Sequence, residues 1–376
     1  MDFVNIRPGM NPDAYQNGVY LSESQLPLLK SVNNTVGGKI TVAYTPAAQH
    51  EVSNKLHSTQ QIVTSVNLDD NNGNTWTETY EYEGGDYYFG SPFDKKQTGF
   101  EKITRTDAKG NKTISYFHQN NGNTDTESND SYAKIGKEYK TETYDNNDDL
   151  FLRSVVLYDE SAINASSSFV FVDTILSQQF DGTSTHTDTA IEYQYDIYGN
   201  ITLETNYGLV NGNIDGTFAD VDSDKRRITR TYINDTTRYI VGLLKSEVVR
   251  GNINAYVERT LWVYDTLGNL TRERRVVDQY GLAATWFTND SYGNTLTQED
   301  PLGNITTYSY DAHNLYPTTV TNAKGQTMSY TYDYSSGQKT SITDPNGIIQ
   351  YIEYDGLDRP LYEKKSEGVG TITLRE

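Results

Sequence analysis

The chain has 376 residues, no cysteine, and a formal net charge of −20 at pH 7. The lack of cysteine excludes disulfide bonds, thiolate nucleophiles and cysteine-ligated metal sites. The acidic charge argues against nucleic acid or an anionic membrane as a partner, because both need clustered cations. Hydrophobic residues make up only 35%, whereas tyrosine occurs 31 times. We therefore expect a core of amphipathic aromatic residues, which suits sheets better than helical bundles.

Residues 1–29 contain three prolines and little periodicity, so we predict a linker or a truncated end. No apolar run approaches the roughly 18 residues of a membrane span. The first ten residues lack a basic stretch followed by an apolar one, so no signal peptide is visible.

Strand chemistry begins at Lys39 and defines a β-rich region that we place at residues 30–185. We predict strands at residues 39–44, 61–66 and 75–82. Residues 120–130 are almost free of apolar side chains, which predicts an exposed loop. A Ser-rich run after residue 159 indicates a soft domain boundary, and residues 186–376 form the second predicted domain.

The second domain is a repeat array, in which an acidic or amide residue returns after 10 and then every 11 residues. These anchors are Asp290, Asp300, Asp311, Asn322, Asp333, Asp344 and Asp355. So regular a period indicates one repeated supersecondary unit. Two earlier units, at residues 195–200 and 264–269, are separated by what we interpret as an insertion at residues 211–238.

The anchors carry the residues that a type I turn favours: Asp first, Pro second where present, and Gly fourth. The predicted turn residues are Asp196, Gly199, Asp265, Gly268, Asp290, Gly293, Asp300, Pro301, Gly303, Asp344, Pro345 and Gly347. An Asn often follows the Gly, and we attribute it to the tolerance of Asn for left-handed dihedral angles.

Between the turns lie about seven residues that alternate with period two, which predicts strands joined into an antiparallel meander. Tyrosines then share one face; those we consider as cavity-lining are Tyr308, Tyr310, Tyr330 and Tyr332. Such a face offers aromatic surface with hydroxyl groups, suited to weak binding of unfolded polypeptide or sugar rings. Alternatively, the same face packs against another layer of sheet.

No catalytic constellation can be assembled. The histidines are His50, His57, His118, His186 and His313, and none has a metal-binding spacing. The run Asp220-Val-Asp222-Ser-Asp224 begins like a calcium loop but has Lys225 where glycine belongs. We therefore predict a protein that is not an enzyme and has no cofactor or metal.

The Tyr-Asp-x-x-Gly-Asn units, which alternate with Asp-Pro-x-Gly turns, resemble the YD repeats of bacterial Rhs and teneurin-type proteins over about residues 191–358. That family often has Arg after the Gly, whereas Asn dominates here. Residues 28–44, 99–107 and 116–119 resemble the middle region of the B component of bacterial Tc insecticidal toxins, which is SpvB/TcdB-like. That region precedes the YD repeats in the family, as it does here.

The resemblance implies an all-β fold, in which an antiparallel meander of YD repeats forms a broad curved sheet or partial shell after a β-rich region. It implies a non-catalytic shell that encapsulates or carries a toxin polypeptide. The implied partners are other protein chains or further segments of the same protein, namely a C-terminal Rhs core and the toxin cargo. The implied location is secreted or at the surface of a bacterium. An alternative function is a surface-displayed repeat module that binds glycans or host proteins.

Overall fold

The computed structural model describes residues 28–33, 37–49, 60–120, 130–164, 167–252, 256–276, 281–356, 358–365 and 373–374. Apart from two three-residue 3-10 helices, the regular elements of these residues are strands. The prediction of an all-β class is confirmed. The predicted linker at 1–29 and loop at 120–130 lie almost wholly outside the described residues.

The early elements are β1 (Ser31–Asn33), β2 (Lys39–Pro46), η1 (Ala47–Gln49), β3 (Gln61–Asp69), β4 (Thr75–Glu83), β5 (Asp86–Ser91), β6 (Asp94–Gly99), β7 (Lys102–Thr106), β8 (Lys112–Phe117), η2 (Tyr132–Lys134) and β9 (Glu138–Tyr144). Next come β10 (Leu150–Asn164), β11 (Ser167–Gln179), β12 (Thr187–Tyr195), β13 (Ile201–Gly212), β14 (Phe218–Asp220), β15 (Arg226–Asp235), β16 (Ile240–Arg250) and β17 (Tyr256–Tyr264).

The repeat array continues with β18 (Leu270–Val276), β19 (Leu282–Asn289), β20 (Thr295–Glu299), β21 (Ile305–Tyr310), β22 (Pro317–Thr321), β23 (Thr327–Tyr332), β24 (Lys339–Thr343), β25 (Ile349–Tyr354), β26 (Pro360–Lys365) and β27 (Thr373–Leu374). Strands β20 to β26 are five or six residues long, slightly shorter than predicted.

The chain forms two compact units. The first holds the described residues up to Ser154 together with Gln179–His186. Its strands β1, β2, β3, β4, β7, β8 and β9 pair in that order, and β5 pairs with β6 as a separate hairpin. Its small core contains Ala47 and Phe100.

The second unit holds Val155–Gln178 and the described residues from Thr187 onward. Strand β13 pairs with β12, β14 and β15, and from β15 each strand pairs antiparallel with the next. The predicted meander is confirmed. Residues 211–238, interpreted above as an insertion, contain β14 and β15 and so extend the sheet. The predicted domain limits at 185 and 186 stay a prediction.

The enclosed core of the second unit is aliphatic: Val155, Leu176, Ala190 and Val210. The expectation of a largely aromatic core is wrong for the described residues, where Tyr139 is the only buried tyrosine. The physical reason is that many tyrosine rings lie half-buried along the sheet, where their hydroxyl groups bond backbone carbonyls, as in Tyr264, or carboxylates, as in Tyr116. Within the described part of 281–365, Ser341 alone is buried.

Candidate functional site

The repeated Asp turn has one backbone geometry, illustrated by Asp265. The N–H of Asp265 donates to the carbonyl of Asn269 at 2.9 Å, and the N–H of Gly268 donates to the carbonyl of Asp265 at 3.2 Å. Gly268 has a φ of 91°. This is a type I turn followed by a left-handed residue, a common three-residue hairpin connection.

The side chains close the same turn a second time. Oδ1 of Asp265 accepts the N–H groups of Leu267 and Asn269 at 2.8 and 2.9 Å, and Oδ2 accepts Nδ2 of Asn269 at 2.9 Å. We call this set of bonds the aspartate clamp. Its other full copies, in both units, join Asp70 to Asn74, Asp107 to Asn111, Asp196 to Asn200, Asp290 to Asn294 and Asp300 to Asn304.

The reason given above for the Asn after the Gly is wrong. The positive φ belongs to the Gly, and Asn269 is not among the left-handed residues. Asn269 is useful as a side-chain donor to the carboxylate. At the last turn Arg359 takes this position and donates Nε to Oδ2 of Asp355 at 2.6 Å, so this Arg bonds the carboxylate as the Asn does at the other turns.

All the predicted turn residues lie in such hairpin turns. In the turn that starts at Asp300, the N–H of Gly303 donates to the carbonyl of Asp300 at 3.0 Å. In the Asp344 turn, Oδ1 accepts two backbone N–H groups, and Ile348 stands where the Asn would be. Any functional role of these residues beyond the turn stays a prediction.

The Tyr-Asp turns and the turns that alternate with them lie at opposite edges of the array, because each strand runs antiparallel to the one before. Here an edge means the side of the sheet where strand ends and turns lie. The turns at Asp290, Asp311, Asp333 and Asp355 share one edge, and those at Asp300, Asn322 and Asp344 share the other.

The tyrosine that precedes an Asp anchor fastens its strand to the preceding one. The hydroxyl groups of Tyr310 and Tyr332 donate to the carbonyls of Thr295 and Pro317, each at 3.1 Å. The same bond is made by Tyr195, Tyr264 and Tyr354, and also by Tyr82 and Tyr232, which do not precede an Asp. Burial raises the pKa of Tyr310 and of Tyr332, so these groups remain protonated donors. We call them tyrosine anchors.

A cluster of rings lies at the turns that start at Asp311 and Asp333. Tyr316 stacks on Tyr332 with ring centroids 4.6 Å apart, and the Tyr334 hydroxyl donates to Oδ2 of Asp311 at 2.6 Å. His313 meets the Tyr334 ring edge-on at 5.6 Å. The turns that start at Asp311 and Asp333 are therefore joined by side-chain contacts, which include the ring of His313.

Strand register gives the array two chemically different faces. Directly paired residues point to the same side of a sheet, which places Tyr308 opposite Val320 and Tyr330 opposite Ile342. Together with Tyr310 and Tyr332 these residues form the tyrosine face. The other side is the hydroxyl face, where Thr and Ser are paired in the same way. The residues of the hydroxyl face include Thr297, Thr307, Thr321, Thr327, Ser329, Thr331 and Ser341.

The tyrosine face consists of partly exposed rings and aliphatic side chains, none of them buried among the described residues. Ser341, the one buried residue of this region, lies on the hydroxyl face. Tyr330 lies 4.5 Å below Nζ of Lys339, and the Tyr308 hydroxyl contacts Gln298 at 3.4 Å. The described part of the array thus presents an uncovered aromatic surface, and a cavity along it stays a prediction.

The acidic run that begins like a calcium loop is separated in space. Asp220 pairs with Lys225, and Asp224 accepts the N–H of Leu209, so this acidic run does not converge on one point. In the described residues no group of three metal-ligating side chains occurs. Sequence reasoning missed a buried pair in the first unit, His118 Nδ1 with Asp130 Oδ1 at 3.1 Å. These residues lie on either side of the predicted loop, so spacing alone gave no signal.

The geometry defines a class of protein: an all-β repeat sheet stabilised by aspartate clamps in its turns and by tyrosine anchors between its strands. Residues 2–125 match the family model of the insecticide toxin TcdB middle/N-terminal region, and residues 290–327 match that of the RHS repeat. The resemblance predicted for both regions is confirmed. No curated protein matches the chain.

Solved structures share the fold at 12% identity. A crystal structure of TcdB2–TccC3 aligns over 92% of this chain and 25% of that one, with a TM-score of 0.66. The Tc holotoxin pore of Photorhabdus luminescens aligns over 92% and 24%, with a TM-score of 0.67. This chain therefore spans about a quarter of the length of those chains. No helix in the described residues is long and apolar enough to cross a membrane.

Proposed function

We propose that this chain is a non-catalytic wall segment of a YD-repeat shell that encapsulates or carries a toxin polypeptide. The observation that carries the proposal is the uncovered tyrosine face, presented by strands whose described backbone groups pair with their neighbours. A wall needs a surface that is stable by itself and leaves its contents free to move.

The chemistry of this face suits an unfolded polypeptide. The hydroxyl groups of Tyr310 and Tyr332 are already bonded to the sheet, so the rings offer apolar surface without competing for the backbone of the cargo. Aromatic rings contribute through area rather than through fixed hydrogen bonds. Many weak contacts of this kind hold a chain without selecting its sequence.

The match of two segments to a toxin-component region and to the RHS repeat supports a partner-dependent role. TcdB2 is solved together with TccC3, and we propose a partner of that kind for this chain. It would supply the rest of the shell and the cargo. The assembled protein would then act outside the bacterium that makes it.

The test is protease protection. The tagged chain is co-expressed with the Rhs-type partner from its own bacterium, and the purified complex is digested and analysed by mass spectrometry. We expect the C-terminal cargo of the partner to be protected in the complex and digested without this chain. Tyr308→Ser with Tyr330→Ser should shorten protection, whereas Thr307→Ala with Ser329→Ala on the other face should not.

Equal digestion of the cargo with and without this chain would overturn the proposal. The alternative, a surface module, predicts instead that the chain alone binds a glycan array at micromolar strength. Loss of that binding in Tyr308→Ala, Tyr310→Ala and Tyr330→Ala variants would then favour the alternative.

A further inference from the structure

Five arginines lie close together on the hydroxyl face of the second unit. Arg227 on β15 is directly opposite Arg250 on β16, and Arg259 on β17 is opposite Val248, two residues from Arg250. On β18, Arg274 and Arg272 are opposite Leu261 and Val263 of β17. Since paired and alternate residues share a face, these five side chains project from one side, as the arginine row.

The arginines on the two faces of these strands differ in their ion pairs. On the opposite face, Arg230 contacts Glu204 and Glu247 at 3.1 and 2.8 Å, and Arg275 contacts Glu273 at 3.5 Å. On the row's face, the described residues of 227–231, 246–250, 259–263, 272–276 and 282–288 include no carboxylate. Thus cations are balanced on one side of the sheet and concentrated on the other.

Several donors of the row have no partner within the described residues. Arg250, Arg259, Arg272 and Arg274 form no ion pair there, and the Nε atoms of Arg272 and Arg274 are shielded from water without a hydrogen bond. Buried donors are nearly always satisfied in folded proteins. An anion lying along the row would give these donors a partner.

The surroundings favour a polypeptide anion. Trp286 lies under the Arg272 guanidinium at 4.6 Å, and Leu261 and Val263 lie between the arginines. A groove of about 650 Å³ continues past Arg227 and Arg250 to Leu203 and Thr205, and ends at Glu192. Apolar and hydroxyl groups between cations suit a chain with alternating side chains. The net charge of −20 opposes the denser phosphate charge of a nucleic acid.

The nearest carboxylates on this face lie at the two sides of the row. Glu192 accepts the Tyr207 hydroxyl, and Glu299 is opposite Trp286. They limit the cationic surface to strands β15 to β18, which span about 14 Å at about 4.8 Å per strand. The register also places Arg272 six residues, about 20 Å, along the strands from Arg250. The row is therefore a diagonal about 25 Å long. Arg272 and Arg274, being alternate residues of β18, are separated by roughly 7 Å, the spacing of alternate residues in an extended ligand.

We propose that the arginine row binds an extended acidic segment of a partner protein, about eight residues long, whose carboxylates occur at alternate positions. Guanidinium groups bind carboxylates through two parallel N–H donors, so each alternate carboxylate meets one or two arginines. The proposal is independent of the cargo, because the row and the tyrosine face lie on opposite sides of the sheet.

The test is fluorescence anisotropy of the full chain with a labelled peptide of alternating Glu and Thr. We expect binding at low salt that weakens in 0.5 M NaCl, and none with a Gln-Thr peptide. Arg259→Gln with Arg274→Gln should weaken binding about tenfold, since each exposed ion pair contributes about threefold. Arg275→Gln, on the opposite face, is the matched control and should leave binding unchanged.

Far-UV circular dichroism and melting temperature establish that each variant is folded. Tyr308→Ser with Tyr330→Ser should retain peptide binding, which separates this test from that of the proposed shell. Equal peptide affinity in the wild type and the double arginine variant would overturn the inference. Absence of binding to the Glu-Thr peptide, or competition by inorganic phosphate or transfer RNA as strong as by the peptide, would also overturn it.

Discussion

Removal of the Asp196 carboxylate tests whether the aspartate clamp stabilises the sheet. Oδ1 accepts the N–H groups of Tyr198 and Asn200 at 2.9 and 3.0 Å, and Oδ2 accepts Nδ2 of Asn200 and of Asn234 at 2.9 and 3.1 Å. A net hydrogen bond contributes about 0.5–1.5 kcal/mol. Because water can replace part of these contacts in the Asp196→Ala variant, we expect a loss of about 2–3 kcal/mol.

The assay is urea unfolding followed by circular dichroism, combined with hydrogen exchange at the amides of Tyr198 and Asn200. Both amides should exchange faster in Asp196→Ala than in the wild type. Asp222→Ala is the control for lost charge, because the described contact of Asp222 is with the N–H of its neighbour Ser223. An unchanged unfolding midpoint and unchanged exchange at both amides would refute the reasoning.

Further predictions concern the glycine, the tyrosine anchor and acid. Gly303 has a φ of 82°, and a Cβ there would meet Oε1 of Glu299 at an ordinary 3.9 Å, so Gly303→Val should cost about 1–3 kcal/mol in urea unfolding through its backbone conformation. Gly303→Asn should cost less, since Asn314 holds a φ of 55° at its own turn; equal losses would contradict this. Tyr332→Phe removes one bond to a carbonyl and should cost about 1 kcal/mol; an unchanged melting temperature would argue against the anchor. Hydrogen bonds from the turn lower the pKa of Asp300, and a threonine hydroxyl and an arginine lower that of Asp235 to about 2. A folded-state pKa below the unfolded value stabilises the fold above about pH 4, and this stabilisation is lost as pH falls toward 2; a flat unfolding midpoint between pH 5 and 2 would be inconsistent.

The turns and strands of the array could be predicted from the sequence because their determinants are local. Asp300, Pro301 and Gly303 specify a turn within four residues, and alternation specifies the strands between turns. The sequence correctly places the Asn in the turn, but the left-handed dihedral angle predicted for it is wrong. Its amide bond to the Asp carboxylate depends on how the turn folds, which dihedral preference does not report.

The tyrosine anchors and the arginine row could not be predicted, because they depend on partners far along the chain. Tyr232 reaches the carbonyl of Ile201, 31 residues away. The arginine row exists only in the observed register, which includes a bulge at Val249 and Arg250. A shift of one residue would send those side chains to the other face. Pairing across four strands therefore determines the charge of each face.

The aspartate clamp joins residues four positions apart, as in Asp265 and Asn269. A duplicated gene segment that encodes one turn therefore encodes both residues of its clamp. Such a sheet can lengthen by duplication without new compensating mutations. The length of the duplicated segment is restricted, however, because Tyr-Asp turns recur on the same edge only every 22 residues, as from Asp311 to Asp333. Insertions of one whole hairpin preserve both edges and both faces, whereas an odd strand would exchange the edges of everything after it.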